Sequence, residues 1–100
     1  MDALLHKLDE VEAQMKAIGY WSATEPPEQA RQTFEYWLQY SFLPVARRRI
    51  QQHDLPHDSN VGVMALRQYD YHSHVPEAQP LLQLLTEFDV LVQRAAPTTP

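Results

Sequence analysis

Hydrophobic residues recur at intervals of three and four along most of the chain, which is the spacing of a helix with one buried face. The first stretch of this kind places apolar side chains at Leu4, Leu8, Val11, Met15 and Ile18. Charged and amide side chains fill the positions between them, and Gly19 follows, where a helix can end in a left-handed residue. The pattern predicts a first helix over residues 2–18.

A second helix is predicted after the two adjacent prolines at 26 and 27. Pro27 suits a first helical turn, so we expect the helix to begin near residue 28, with Thr24 or Glu25 as its cap. Its apolar positions are mostly aromatic and share one face: Phe34, Trp37, Leu38 and Phe42.

Pro44 interrupts this second helical pattern. Proline has no amide hydrogen and disfavours helical geometry in the residue before it, here Leu43. We therefore expect a kink or a break at Pro44, followed by a short helix over residues 44–53.

The rest of the chain predicts one weak and one strong helix. A turn over residues 54–60 precedes the weak helix at 61–68, where Gly62 and two valines lower the helical propensity. The strong helix begins near residue 77, and its apolar stripe consists of Leu81, Leu84, Leu85, Phe88, Leu91 and Val92. Because no stretch alternates as a strand would, the predicted fold is all-α, a small bundle of four to five helices with a proline-kinked second helix. We expect a single domain over 1–94 and a disordered tail over 95–100.

Composition excludes several classes of function. The chain has 100 residues and no cysteine, which excludes a disulfide framework, a zinc-thiolate site and a cysteine nucleophile. Its apolar runs are far shorter than the about 20 residues that cross a bilayer, and no signal-like start is visible, so we expect a cytoplasmic protein with no membrane contact. A net charge of −5 disfavours a general binder of nucleic-acid backbones.

The sequence gives little support for catalysis or for metal binding. His53 and His57 are four residues apart, and His72 and His74 add two more imidazoles, but Pro56 breaks the helix that would align the first pair. We expect these histidines to be solvated loop residues, with no bound metal and no cofactor. Two glycines in the whole chain are too few for a phosphate-binding loop, and no acid, base and nucleophile can be grouped. The sequence therefore predicts a protein that is not an enzyme.

Two groups of residues are candidates for binding. The aromatic side chains exceed what one buried stripe needs, so we expect part of them to form a groove for a protein partner: Tyr20, Trp21, Tyr36 and Tyr40, with Glu25 beside them. The second group is Arg47, Arg48 and Arg49, in a stretch without acids. Successive helical residues turn by about 100°, so the arginines fan out. They form either a solvated helix end with ion pairs to Asp54 or nearby acids, or a small patch that contacts RNA or an acidic partner.

The order of short motifs along the chain resembles the YqcC-like family of small bacterial proteins. The matching residues are Trp21, Glu25-Pro26-Pro27, Phe34, Trp37-Leu38-Gln39, Phe42-Leu43-Pro44, Leu55-Pro56, Pro76-Glu77, Leu81, Leu82, Leu85, Asp89 and Leu91. The resemblance implies an all-helical protein of unknown biochemical function, often labelled by its association with tRNA pseudouridine synthase C.

We therefore predict a non-enzymatic, cytoplasmic protein-interaction domain. Through the resemblance it is linked to tRNA pseudouridine modification, with a tRNA pseudouridine synthase as the candidate partner. The alternative is an RNA-binding accessory protein that uses Arg47 to Arg49. The oligomeric state stays open.

Overall fold

The computed structural model describes residues 2–24, 26–54, 59–71 and 75–95. Within these ranges all regular structure is helical, which confirms the predicted all-α bundle. The α-helices are α1 (Asp2–Ala17), α2 (Phe34–Trp37), α3 (Leu43–Gln51), α4 (Val61–Leu66) and α5 (Gln79–Ala95). Shorter helical turns connect them, with 3₁₀ helices at Glu28–Gln32 and Pro76–Ala78 and π-helical turns at Leu38–Phe42 and Arg67–Tyr71.

The two long helices, α1 and α5, pack along each other and form the centre of the core. The stripes predicted from the sequence are the faces that meet. Their buried members are Leu4, Leu8, Val11 and Met15 on α1 and Leu81, Leu85, Phe88 and Val92 on α5. Burying each large apolar side chain contributes about 1.5–3 kcal/mol, so this pair of stripes makes a large contribution to the stability of the fold.

The end of α1 confirms the role predicted for Gly19. Its φ of 80° is left-handed, the Tyr20 amide donates to the Met15 carbonyl oxygen at 2.8 Å, and the Gly19 amide donates to that of Lys16 at 3.3 Å. These two bonds close the helix end in a Schellman turn. The turn directs Tyr20 back against the core.

The predicted start of the second helix is wrong. Residues Glu28–Gln32 form a 3₁₀ helix, and the α-helix begins only at Phe34. The cap is Thr33, whose extended backbone (φ −83°, ψ 156°) lets its hydroxyl oxygen accept the Tyr36 amide at 3.1 Å. Thr24 does not have this role, and Glu25 lies outside the described residues. A hydroxyl cap satisfies an amide that otherwise has no partner, and this fixes where the helix begins.

Helical turns run without interruption from Phe34 to Gln51, a stretch that we call segment 34–51. The π-helical turn in its middle is closed by the Leu43 amide, which donates to the Leu38 carbonyl oxygen. Because the turn holds an extra residue, Leu38 and Leu43 are both fully buried although they are five positions apart. Pro44 follows directly, in the first turn of α3, where its missing amide is tolerated. The bend expected at Pro44 stays a prediction.

Helix α4 lies on α5 at very short range. A Cβ atom added to Gly62 would lie 2.7 Å from the Thr86 Cα atom, so only glycine permits this approach. The Asp89 carboxylate of α5 accepts the amides of Val61 at 3.1 Å and Gly62 at 2.7 Å, and the Ser59 hydroxyl at 2.5 Å. The glycine that weakens the predicted helix is thus what lets it pack.

The remaining helical boundaries agree closely with the sequence. Pro80 lies in the first turn of α5, as predicted, and α5 extends to Ala95, the first residue of the predicted tail. Residues 96–100 lie outside the described part of the chain. Across the described ranges, no helix combines the length and the apolar character needed to span a membrane.

Candidate functional site

Segment 34–51 and α4 stand apart from each other over α5 and leave a concave surface of about 390 Å³ between them. We call it the apolar groove and define it by six lining residues: Trp37, Phe42, Val45, Val61, Met64 and Phe88. Arg49 is the charged residue of the lining, near the end of α3.

The groove exposes large apolar side chains to solvent. Val45 is 42% exposed and Met64 is 37% exposed, one on each wall. Below them the rings form a packed series, in which Phe42 lies 5.6 Å from Trp37 and meets Phe88 edge-on at 5.5 Å. These ring contacts form the packed base of the groove. A concave apolar surface of this type is typical of a binding site.

A second concave surface, of about 360 Å³, lies where segment 34–51 meets the loop after α1. We call it the polar recess, and its lining residues are Gly19, Tyr20, Ser22, Pro26, Thr33, Glu35, Tyr36 and Gln39. Gln39 is buried and holds the loop with two hydrogen bonds: its amide nitrogen donates to the Ser22 carbonyl oxygen at 2.7 Å, and its Oε1 accepts the Ser22 amide at 2.8 Å.

Glu35 and two tyrosines give the polar recess its electrostatic character. The Tyr69 hydroxyl donates to the Glu35 carboxylate. Burial, together with this hydrogen bond, raises the pKa of Tyr69 well above its ordinary value. Burial also raises the pKa of Tyr20, with the nearby charges of Glu77 and Glu35 adding to the effect. The Tyr69 phenol is therefore protonated at neutral pH and donates its hydrogen bond to Glu35.

The structure brings together some of the residues predicted to bind a partner. Tyr20 and Tyr36 both line the polar recess, and the ring of Tyr40, which is 38% exposed, contacts that of Tyr36 with centroids 4.6 Å apart. Trp21 instead packs against the core, with the Lys16 ammonium 5.1 Å from its ring centroid. Glu25 lies outside the described residues.

The three arginines have three different surroundings. Arg47 forms salt bridges to Asp9 at 3.1 Å and Glu12 at 2.8 Å on α1. Arg49 lies 3.5 Å from the Asp54 carboxylate, which confirms the predicted ion pair. Arg48 is exposed. They therefore do not form one continuous basic stripe.

The histidines are only partly described. His53 follows the end of α3 with a φ of 57°, a left-handed conformation that non-glycine residues adopt rarely. His57, His72 and His74 lie outside the described residues. Among the residues that are described, no three histidine, aspartate or glutamate side chains are grouped in a way that could hold a metal ion.

Sequence reasoning missed the apolar groove. Trp37 and Phe42 fit the pattern of core residues, and the structure does pack both against the core while one side of each faces the groove. The signals available were Val45 and Met64, apolar residues outside the main stripes. Their position becomes informative only once α4 is known to pack on α5 and to leave a gap beside α3.

Comparison with protein families decides what the chain is related to. The DUF446 family model, described as tRNA pseudouridine synthase C, matches residues 3–91. The chain belongs to this family. The match confirms the resemblance found in the sequence, and it includes all six residues that define the apolar groove. Searches of curated proteins and of solved structures found no match.

Proposed function

We propose that this protein is a non-enzymatic accessory domain that binds a protein partner in its apolar groove, and that the partner acts in tRNA pseudouridine formation. The observation that carries the first part is the groove itself, with Val45 and Met64 exposed on opposite walls above packed rings. The description of the family supports the second part.

The groove fits an amphipathic α-helix of the partner. Both walls and the base of the groove are helical, so an added helix would pack against helices on three sides, as in other helix-in-groove complexes. Helix α3 has nine residues and a length of about 13 Å at 1.5 Å per residue, which matches roughly two and a half turns of a ligand helix.

The charge of the groove lining indicates where the ligand helix should carry an acidic residue. Arg49 is the charged residue of the groove lining, and its side chain is 39% exposed. An acidic side chain on the partner helix, facing Arg49, would complement it. We therefore expect apolar residues at helical spacing and an acidic residue near the end that meets the C-terminal turn of α3.

Two features of the structure support a binding role over catalysis. The groove is lined mainly by apolar side chains, which provide buried area and do not transfer protons. Tyr69 and Asp89, two of the groups with raised pKa, each form hydrogen bonds between separate parts of the fold. RNA binding through Arg47 to Arg49 has less support, because Arg47 is paired with two acids of α1 and the three arginines do not form one continuous basic stripe.

Calorimetric titration with the tRNA pseudouridine synthase of the same organism tests the proposal. Met64→Glu places a charge in the groove and should weaken binding by about 50-fold or more, as for a buried hot-spot residue. Val63→Glu is the matched control: Val63 is the neighbouring residue, is 48% exposed and does not line the groove. It should change the affinity by less than about threefold.

Both substitutions affect exposed residues, so thermal unfolding of both variants should match that of the native protein. The proposal fails if the native protein does not bind the synthase or if both variants bind equally well. Binding that disappears after RNase treatment, and that weakens steeply with salt, would assign the interaction to RNA instead.

A further inference from the structure

The polar recess is a formed surface whose walls are fixed by contacts between distant parts of the chain. Gln39 holds Ser22 by two hydrogen bonds, the Schellman turn at Gly19 orients Tyr20, and the Thr33 cap fixes the first turn of α2. A ligand that enters the recess would find its partners already in place, which lowers the entropic cost of binding.

Glu35 places a negative charge in the wall of this recess. Its side chain is half-buried and accepts a hydrogen bond from the neutral Tyr69 hydroxyl. No ion pair to Glu35 is formed within the described part of the chain, whereas Glu12 and Glu87 are both paired with cations there. A partly buried carboxylate without a cationic partner attracts a positive ligand more strongly than an exposed one does.

Two tyrosine rings line the recess beside Glu35. The Tyr36 ring contacts the Tyr40 ring, with centroids 4.6 Å apart, and the Tyr20 ring contacts the buried ring of Tyr69, with centroids 5.9 Å apart. The faces of such rings carry partial negative charge and bind cations, and a planar guanidinium can both stack on a ring and form two hydrogen bonds with a carboxylate.

We infer that the polar recess is a binding site for a guanidinium group, with Glu35 as the anionic partner and Tyr20 and Tyr36 as the ring surfaces. The site is distinct from the apolar groove and does not rest on the function proposed for it. The guanidinium can belong to an arginine side chain of a protein or to a small molecule such as free arginine.

NMR titration of the isotope-labelled protein tests this inference. The probes are arginine blocked by an acetyl and an amide group, the equally blocked citrulline, which has nearly the same shape but no charge, and free arginine. Blocked arginine should bind with a Kd on the order of 1 mM and shift the amide signals of Ser22, Tyr36 and Gln39. Citrulline should leave these signals in place.

Substitutions of single residues test whether Glu35 supplies the affinity for the guanidinium. Glu35→Gln keeps an oxygen that can accept the Tyr69 hydroxyl, and it should weaken blocked arginine about tenfold or more. Glu28→Gln removes an equal charge from an exposed position on the neighbouring 3₁₀ helix, and it should leave the affinity within about twofold.

The outcomes separate the sources of the ligand and decide the inference. Binding of blocked arginine assigns the recess to an arginine side chain, and binding of free arginine alone assigns it to a small molecule. Equal shifts with citrulline, or no difference between Glu35→Gln and Glu28→Gln, would overturn the inference.

Discussion

The two walls of the apolar groove are attached to the core in different ways. The α4 wall packs on α5 through Gly62 and through the buried Asp89 carboxylate. The α3 wall packs on α1, and its polar contacts there are the salt bridges of Arg47, on side chains that solvent still reaches. The polar contacts that attach α4 are buried, and those that attach α3 are partly exposed.

This difference predicts which conditions disturb each wall. Hydrogen bonds to a buried carboxylate are costly to lose and respond to pH. Exposed salt bridges contribute roughly 0–1 kcal/mol and weaken with salt. The α4 wall should therefore be the rigid side of the groove, and the α3 wall the side that adjusts to a ligand.

The largest effect is expected from Gly62→Ala. The added Cβ would lie 2.7 Å from the Thr86 backbone and would force α4 away from α5. We expect a loss of about 3 kcal/mol in the free energy of unfolding, measured in urea, together with loss of binding in the groove.

Gly19→Ala is the matched control, because an added Cβ there would meet no packing atom within 4 Å and only the φ of 80° is unfavourable. It should cost about 1 kcal/mol and preserve binding. Equal losses for the two variants would contradict the close-packing account.

Asp89→Asn should have the next largest effect, about 2 kcal/mol at neutral pH. The Val61 and Gly62 amides donate to different oxygens of the Asp89 carboxylate. Asparagine keeps only one of these oxygens, so one buried amide loses its acceptor. The free energy of unfolding of the variant and of the native protein, measured by urea titration, gives this difference.

The difference in the free energy of unfolding between the native protein and Asp89→Asn should change with pH in one direction. Burial raises the pKa of Asp89 above the ordinary 3.8, against the opposing hydrogen bonds from Ser59, Gly62 and Val61. The folded state then binds this proton more tightly than the unfolded state, so the native protein should gain stability relative to Asp89→Asn as the pH falls from neutral towards 3.8. If this stability difference becomes smaller as the pH falls, the hydrogen bonds outweigh burial in setting the pKa of Asp89.

The smallest change in the free energy of unfolding is expected from a substitution on the α3 wall. Arg47→Gln removes the salt bridges to Asp9 and Glu12 and should cost about 0.5–1 kcal/mol in low salt, less in high salt. Arg48→Gln, at the exposed neighbouring position, is the control and should cost almost nothing. A loss for Arg47→Gln that is large and independent of salt would show that the two walls are attached alike.

The sequence predicts the helices that bury a complete stripe and misses features set by contacts between elements. The α1 and α5 stripes and the turn at Gly19 depend on local spacing, so periodicity finds them. The cap at Thr33 and the π-helical turn before Pro44 depend on which backbone groups find partners after packing. Gly62 shows the limit best: its low helical propensity argues against α4, but the approach to Thr86 makes glycine necessary.

The candidate surfaces show the same division. The excess of aromatic residues over the needs of the core predicts a surface role for Tyr20, Trp21, Tyr36 and Tyr40. The structure groups the three tyrosines around the polar recess and packs Trp21 against the core. The apolar groove could not be predicted, because it is a gap between α3 and α4 that exists only when each packs on a different long helix.

Fluorine NMR of the protein labelled with fluorotryptophan tests the central claim most directly. Trp37 lines the apolar groove, whereas Trp21 packs elsewhere under the Lys16 ammonium, and a Trp21→Phe variant assigns the two signals. On addition of the unlabelled tRNA pseudouridine synthase, the Trp37 signal should shift while the Trp21 signal keeps its position. Broadening of both signals on complex formation, with no shift of Trp37 or with a shift of Trp21 alone, would contradict binding in the groove.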